Sequence, residues 1–141
     1  MSRVINPNAP GKNRSYHVRT LAEMLRRLAS KGEVDDEARD MLAAAVSFLR
    51  EIDAGVDVSA GAWEKRDYWL KADRFRREWE WTAKIAAHLE TTLRQEAWDQ
   101  LPAVMIELHR HLADVKIAKM TRKPELWAGA YDRLIAESAE A

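Results

Sequence analysis

The chain has no cysteine. Disulfides, zinc–thiolate sites and thiol nucleophiles are therefore excluded, and several enzyme classes go with them. Glycine and proline are scarce, five and four in 141 residues, so few positions are marked for turns. Long apolar runs are missing as well. The longest, residues 41–46, is far too short to cross a bilayer, and the start M-S-R-V-I-N-P has no signal-peptide core. These absences lead to the expectation of a cytoplasmic protein with no membrane contact. The Asn13, Arg14, Ser15 triplet matches a glycosylation acceptor, but without a secretory route the match carries nothing. Gly11 and Lys12 lack the companion glycine and the following Ser/Thr of a phosphate loop, and no G-x-S-x-G is present. No nucleophile is paired with a base, so a non-enzymatic protein without a cofactor is expected.

What is present is amphipathic. Hydrophobic residues make up 47% and charged residues 33% of the chain, a balance outside both disordered polyelectrolytes and membrane proteins. A chain of this length fits one domain and buries roughly two thirds of its unfolded surface. The net charge is zero but is built from blocks: +6 over residues 1–32, −7 over 33–64, +3 over 65–94 and −2 over 95–141. Alternating signs along the chain indicate that neighbouring segments neutralise one another in the fold. The sharper alternative is a basic surface reserved for a polyanion.

Residues 1–16 read as a flexible basic arm, because Pro7, Pro10 and Gly11 interrupt regular structure and Asn6, Asn8 and Asn13 favour turns. The helical bundle domain then occupies residues 17–141. Its first helix runs from about Tyr16 to Ser30, with Ser15 as cap and Gly32 as stop. Val18, Leu21, Ala22, Leu25 and Leu28 form its apolar stripe, and Arg19, Arg26 and Arg27 lie outside it. A second helix starts behind the cap Asp35, with Asp36 and Glu37 in its first turn, and pairs with the first as an antiparallel hairpin. Gly55 and Gly61 disfavour helix, but the apolar register carries through Val56, Ala60 and Trp63. The spacing therefore predicts one bent helix over residues 35–93, roughly 90 Å long. A rod of that length exposes more apolar surface than the rest of the chain covers, which predicts a dimer or larger partner. A further helix begins near Asp99 and Pro102 and ends before the run M-T-R-K-P at residues 120–124, where Pro124 blocks continuation; the last spans about residues 125–137.

The most specific stretch is residues 62–93. Tyr68, Ala72, Phe75, Trp79, Thr82, Ala86, Leu89 and Leu93 recur at steps of four and three, a seam for a neighbouring helix. On the opposite side Trp63, Leu70 and Trp81 recur with Arg66, Arg74 and Arg77 between them. These six are the candidate partner-binding residues, aromatic anchors ringed by charge. Burial of both faces, with Asp73, Glu78 and Glu80 pairing Arg77, Arg74 and Lys84, is the plainer account. In the alternative reading as a nucleic-acid-associated protein, Lys12, Arg14, Arg19, Arg26 and Arg27 would meet phosphates. Glu107, His111 and Asp114 share one helix face and form a remote metal candidate, although no Glu-x-x-His pattern accompanies them.

The expected fold is all-α, a bundle of four to five amphipathic helices with one long central helix. The expected function is a helical interaction or assembly module that docks on a protein partner or on itself, making a homo-oligomer.

Overall fold

A computed structural model describes residues 10–140, with side chains through Glu137. Among these residues the chain is all-helical and has no strand. Six α-helices follow in order: α1 Pro10–Ala29, α2 Asp36–Glu64, α3 Trp69–Trp79, α4 Trp81–Arg94, α5 Leu101–Leu112 and α6 Ala130–Glu140.

The first helix starts earlier than the arm allows. Proline breaks a helix interior, but in the first turn its missing N–H would have no partner anyway, and α1 accordingly opens on Pro10. The rest of the arm, residues 1–9, lies outside the described residues. The helix buries Leu21, Ala22 and Met24. Its hairpin with α2 is closed by ion pairs across the turn: Lys31 reaches Asp35 at 2.8 Å and Glu37 at 2.9 Å, and Arg27 reaches Glu37 at 3.1 Å. The first basic block thus meets the acidic one.

α2 is the hub. Asp35 caps it by accepting the amide of Ala38 at 2.8 Å, and the helix runs unbroken through Gly55 and Gly61. Buried Ile52, Val56 and Ala60 keep it helical there, because each turn they extend is packed. It touches α1, α3, α4 and α6. Six consecutive residues, Met41 to Val46, are buried, which a helix shows only where neighbours surround it.

The predicted rod does not continue to residue 93. Asp67 adopts a left-handed φ of 66°, and the amides of Asp67 and Tyr68 return to the carbonyls of Glu64 and Trp63 at 3.0 and 2.9 Å. That is the Schellman closure of a helix, with aspartate where glycine is usual. The chain reverses, and α3 packs antiparallel on α2. Arg76 pins the two together by donating to Glu64 at 2.5 Å and Asp57 at 3.0 Å. A second interruption falls at Glu80, whose backbone stays right-handed, so α3 and α4 meet in a kink. The Thr82 hydroxyl donates to the Trp79 carbonyl there at 2.8 Å. α4 continues along α2, and Arg50 pairs with Glu90 between them.

A second left-handed residue, Glu96 (φ 50°), ends α4 in the same manner. α5 then carries Pro102 in its first turn, as its sequence predicts, but stops at Leu112, several residues short of the end expected before residue 120. Residues 113–123 cross α1 as an irregular strap held by Glu23, a carboxylate 1% exposed. It accepts the amides of Thr121 and Arg122 at 2.6 and 2.8 Å, the Thr121 hydroxyl at 2.9 Å and Arg19 Nε at 2.9 Å. The carboxylate thereby satisfies strap amides that a helical continuation would have satisfied within itself.

α6 begins at Ala130, later than predicted, after Gly129 at φ 77°. Its free N-terminal amides find a cap on another helix: Asp40 of α2 accepts from Gly129 and Tyr131, both at 3.0 Å. Replacing Asp40 with alanine should cost about 1–2 kcal/mol, the usual worth of a helix cap. Hydrogen exchange should report the loss first in the amides of 129–134, with α2 and α4 little changed.

Candidate interaction surface

The α2–α3 reversal decides which side chains reach the surface. Tyr68, Trp69 and Leu70 follow one another directly, and at about 100° per residue three such neighbours cannot share one buried stripe. Because α3 begins here, all three point outward, at 55%, 61% and 64% exposure. Scattered exposed apolar residues are ordinary; three adjoining large ones on a rigid corner are not.

Beside them lies an open cradle of about 660 Å³ bounded by Trp63, Tyr68, Leu70, Lys71, Arg74 and Phe75. Its floor is stiff. Trp63 and Phe75 meet edge to face at 5.0 Å. Lys71 Nζ sits 4.4 Å from the Trp63 ring centre, and from α1 the Arg14 guanidinium lies 4.8 Å from Phe75 and 5.4 Å from Trp79. Such cation–ring contacts contribute about 0.5–2 kcal/mol each and hold the aromatic faces in place. Burial pushes the Arg14 pKa below the usual arginine value, and the charge of Glu78 works in the opposite direction.

The electrostatics of the corner follow from which carboxylates are already engaged. Glu64 and Asp57 are taken by Arg76, and Asp73 by Arg77 at 3.2 Å. Among the described residues Lys65, Arg66 and Arg74 are in no ion pair, and with Lys71 they outnumber Asp67 and Glu78, the carboxylates that line the cradle, so the exposed aromatic corner keeps a surplus of positive charge.

The six candidate residues therefore do not form one straight face. Trp63, Leu70 and Arg74 line the cradle and Arg66 stands exposed in the reversing turn. Arg77 is paired with Asp73 farther along α3. Trp81 belongs to α4, where its ring stacks parallel on His111 of α5 at 4.3 Å and on Trp79 at 5.9 Å. Asp73 and Glu80 pair with Arg77 and Lys84 as expected, whereas Glu78 bears on Arg14 and forms no ion pair with Arg74. Tyr68, Trp69 and Lys71 belong to the surface too. The run of three large hydrophobic residues was the signal that could have found them.

The cations of the nucleic-acid alternative lie along α1. Arg19 pairs with Glu23, Arg26 donates to the Ile117 carbonyl at 3.0 Å, Arg27 pairs with Glu37, and Arg14 covers Phe75 and Trp79. Lys12 is exposed. The metal stripe is not assembled either: Glu107 pairs with Arg110 at 3.1 Å, His111 stacks on Trp81, and no three His, Asp or Glu side chains cluster around a common point among the described residues. No helix among them is long and apolar enough to cross a membrane.

Comparison with protein-family models, curated proteins and solved structures returned no match.

Proposed function

We propose that this chain is a non-enzymatic helical interaction module that docks a protein partner on its α2–α3 corner. The observation that carries the reading is the exposure of Tyr68, Trp69 and Leu70 beside Lys65, Arg66 and Arg74, three cations without carboxylate partners among the described residues. Trp, Tyr and Arg are the residues on which interface energy concentrates. A rigid floor lowers the ordering cost of binding. The charge selects an acidic partner surface and speeds encounter with it. The pairing of Arg19 and Arg27 with carboxylates leaves α1 less suited to phosphates than its sequence suggests.

The test is affinity capture at low salt by the wild type and by the Trp69→Ala, Leu70→Ala double variant, with retained protein and nucleic acid both analysed. Both side chains are more than half exposed, so the double variant should fold normally. Loss of a central aromatic anchor costs about 2 kcal/mol or more, roughly thirtyfold in affinity. An acidic protein retained by the wild type and lost from the variant supports the proposal. Equal capture by both, or retention of nucleic acid alone, refutes it. Light scattering adds the partner's identity in one case: a multimer that becomes a monomer on double substitution makes the partner a second copy.

A further inference from the structure

On the other side of the molecule, α1 and α5 touch but leave a groove between them. Two open hollows, about 550 and 300 Å³, adjoin along Leu25, Ala29 and Met105, which line both. Both volumes fall within the range of about 300–1,000 Å³ usual for small-ligand sites. The walls are apolar, and alanines 22 and 29 on the α1 side keep them far apart. The inner end reaches Ala38, Leu42 and Leu101, all core residues.

The outer hollow is polar in one sense only. Its polar side chains are Arg26 and His109, and no acid lines it. Arg26 donates Nη1 to the carbonyl of Ile117 at 3.0 Å, which fixes the guanidinium at the mouth and leaves its other N–H groups available. No carboxylate pairs with it among the described residues. At the inner end Lys31 is already matched to Asp35 and Glu37, and Glu33 lines the wall, so an anionic group is favoured only at the outer end. An occupant therefore needs an aliphatic body and an anionic end. A partner helix about 10 Å wide would require the flanking helices to part, and α1 and α5 are in contact. A single alkyl chain fits between them.

We infer that this groove binds an aliphatic carboxylate, its chain lying along Leu25, Ala29 and Met105 and its head group on Arg26 beside His109. The guanidinium fork matches a carboxylate bidentately, which a point charge would not. From Leu101 to His109 the groove follows α5 for roughly 12 Å at 1.5 Å per residue, a length suited to a medium chain.

Isothermal titration of the full chain with decanoate below its micelle concentration is the test. Saturable binding at one per chain is expected, weakened about tenfold by Arg26→Gln, the loss of one charge-assisted contact. Ala29→Trp should abolish it by filling the shared waist. Should Ala29→Trp disturb the circular-dichroism spectrum, Ile106→Asp takes its place: Ile106 is 61% exposed on the groove wall, so the variant folds and repels the head group. No saturable heat with the wild type, or unchanged affinity in the folded groove variants, overturns the site. Decanol binding as tightly as decanoate overturns the role of Arg26. Trp69→Ala should leave decanoate binding intact, so this inference and the corner reading fail separately.

Discussion

Glu23→Ala should destabilise the protein by about 3–5 kcal/mol, the cost of removing one partner from a buried charged network. The carboxylate serves four donors at 2.6–2.9 Å. Alanine would leave the Thr121 and Arg122 amides without acceptors and a half-buried Arg19 guanidinium without its counter-charge. For a chain of this size that is a fall in Tm of roughly 10–15 °C. Hydrogen exchange should show the strap over 113–123 releasing before the α2 core. Glu23→Gln preserves the shape and one acceptor oxygen but removes the charge, so it should cost roughly half as much. A loss confined to about 0.5 kcal/mol would show that the strap holds without Glu23.

The same carboxylate predicts a pH dependence. Burial alone would push its pKa up, but the amide of Arg122, the Arg19 guanidinium, and the amide and hydroxyl of Thr121 outweigh burial and hold it at about 2, below the ordinary 4.5. The folded state therefore releases this proton more readily than the unfolded chain, and the unfolded chain binds more protons as pH falls. The stabilisation is fully present above 4.5 and is lost as pH drops toward about 2. Chemical denaturation of wild type and Glu23→Gln should accordingly converge across that window. A constant gap down to its lower end would rule the linkage out.

Leu49→Ala should be as damaging for a different reason. Leu49 is 0% exposed on α2, the helix that touches α1, α3, α4 and α6. Truncation there removes buried methyl groups and leaves a cavity that the packed core around it closes only in part, a loss of about 3–5 kcal/mol. Leu70→Ala deletes the same atoms at 64% exposure and should shift stability by no more than about 0.5 kcal/mol. The pair separates packing from chemistry. If denaturant midpoints moved equally for both, α2 would not be the centre of the core.

The hydrophobic period alone determined the all-α class, the α1–α2 hairpin behind Asp35 and the passage of α2 through Gly55 and Gly61. Each rests on interactions between residues three or four apart, which a linear pattern displays directly. The charge blocks likewise foretold that the basic first segment lies against the acidic second, where Arg27 and Lys31 meet Glu37. Tertiary structure alone decided where the predicted rod folds back. Asp67 and Glu96 take left-handed conformations that carry no glycine signature, and they are held there by the packing of α3 on α2 and of α5 on α4. That reversal split Trp63 and Leu70 from Trp81 and turned Tyr68 and Trp69 outward. The strap on Glu23 and the cap of α6 by Asp40 join positions 98 and 89 residues apart. No local pattern encodes such contacts, because a buried carboxylate meets its donors only after distant segments have packed.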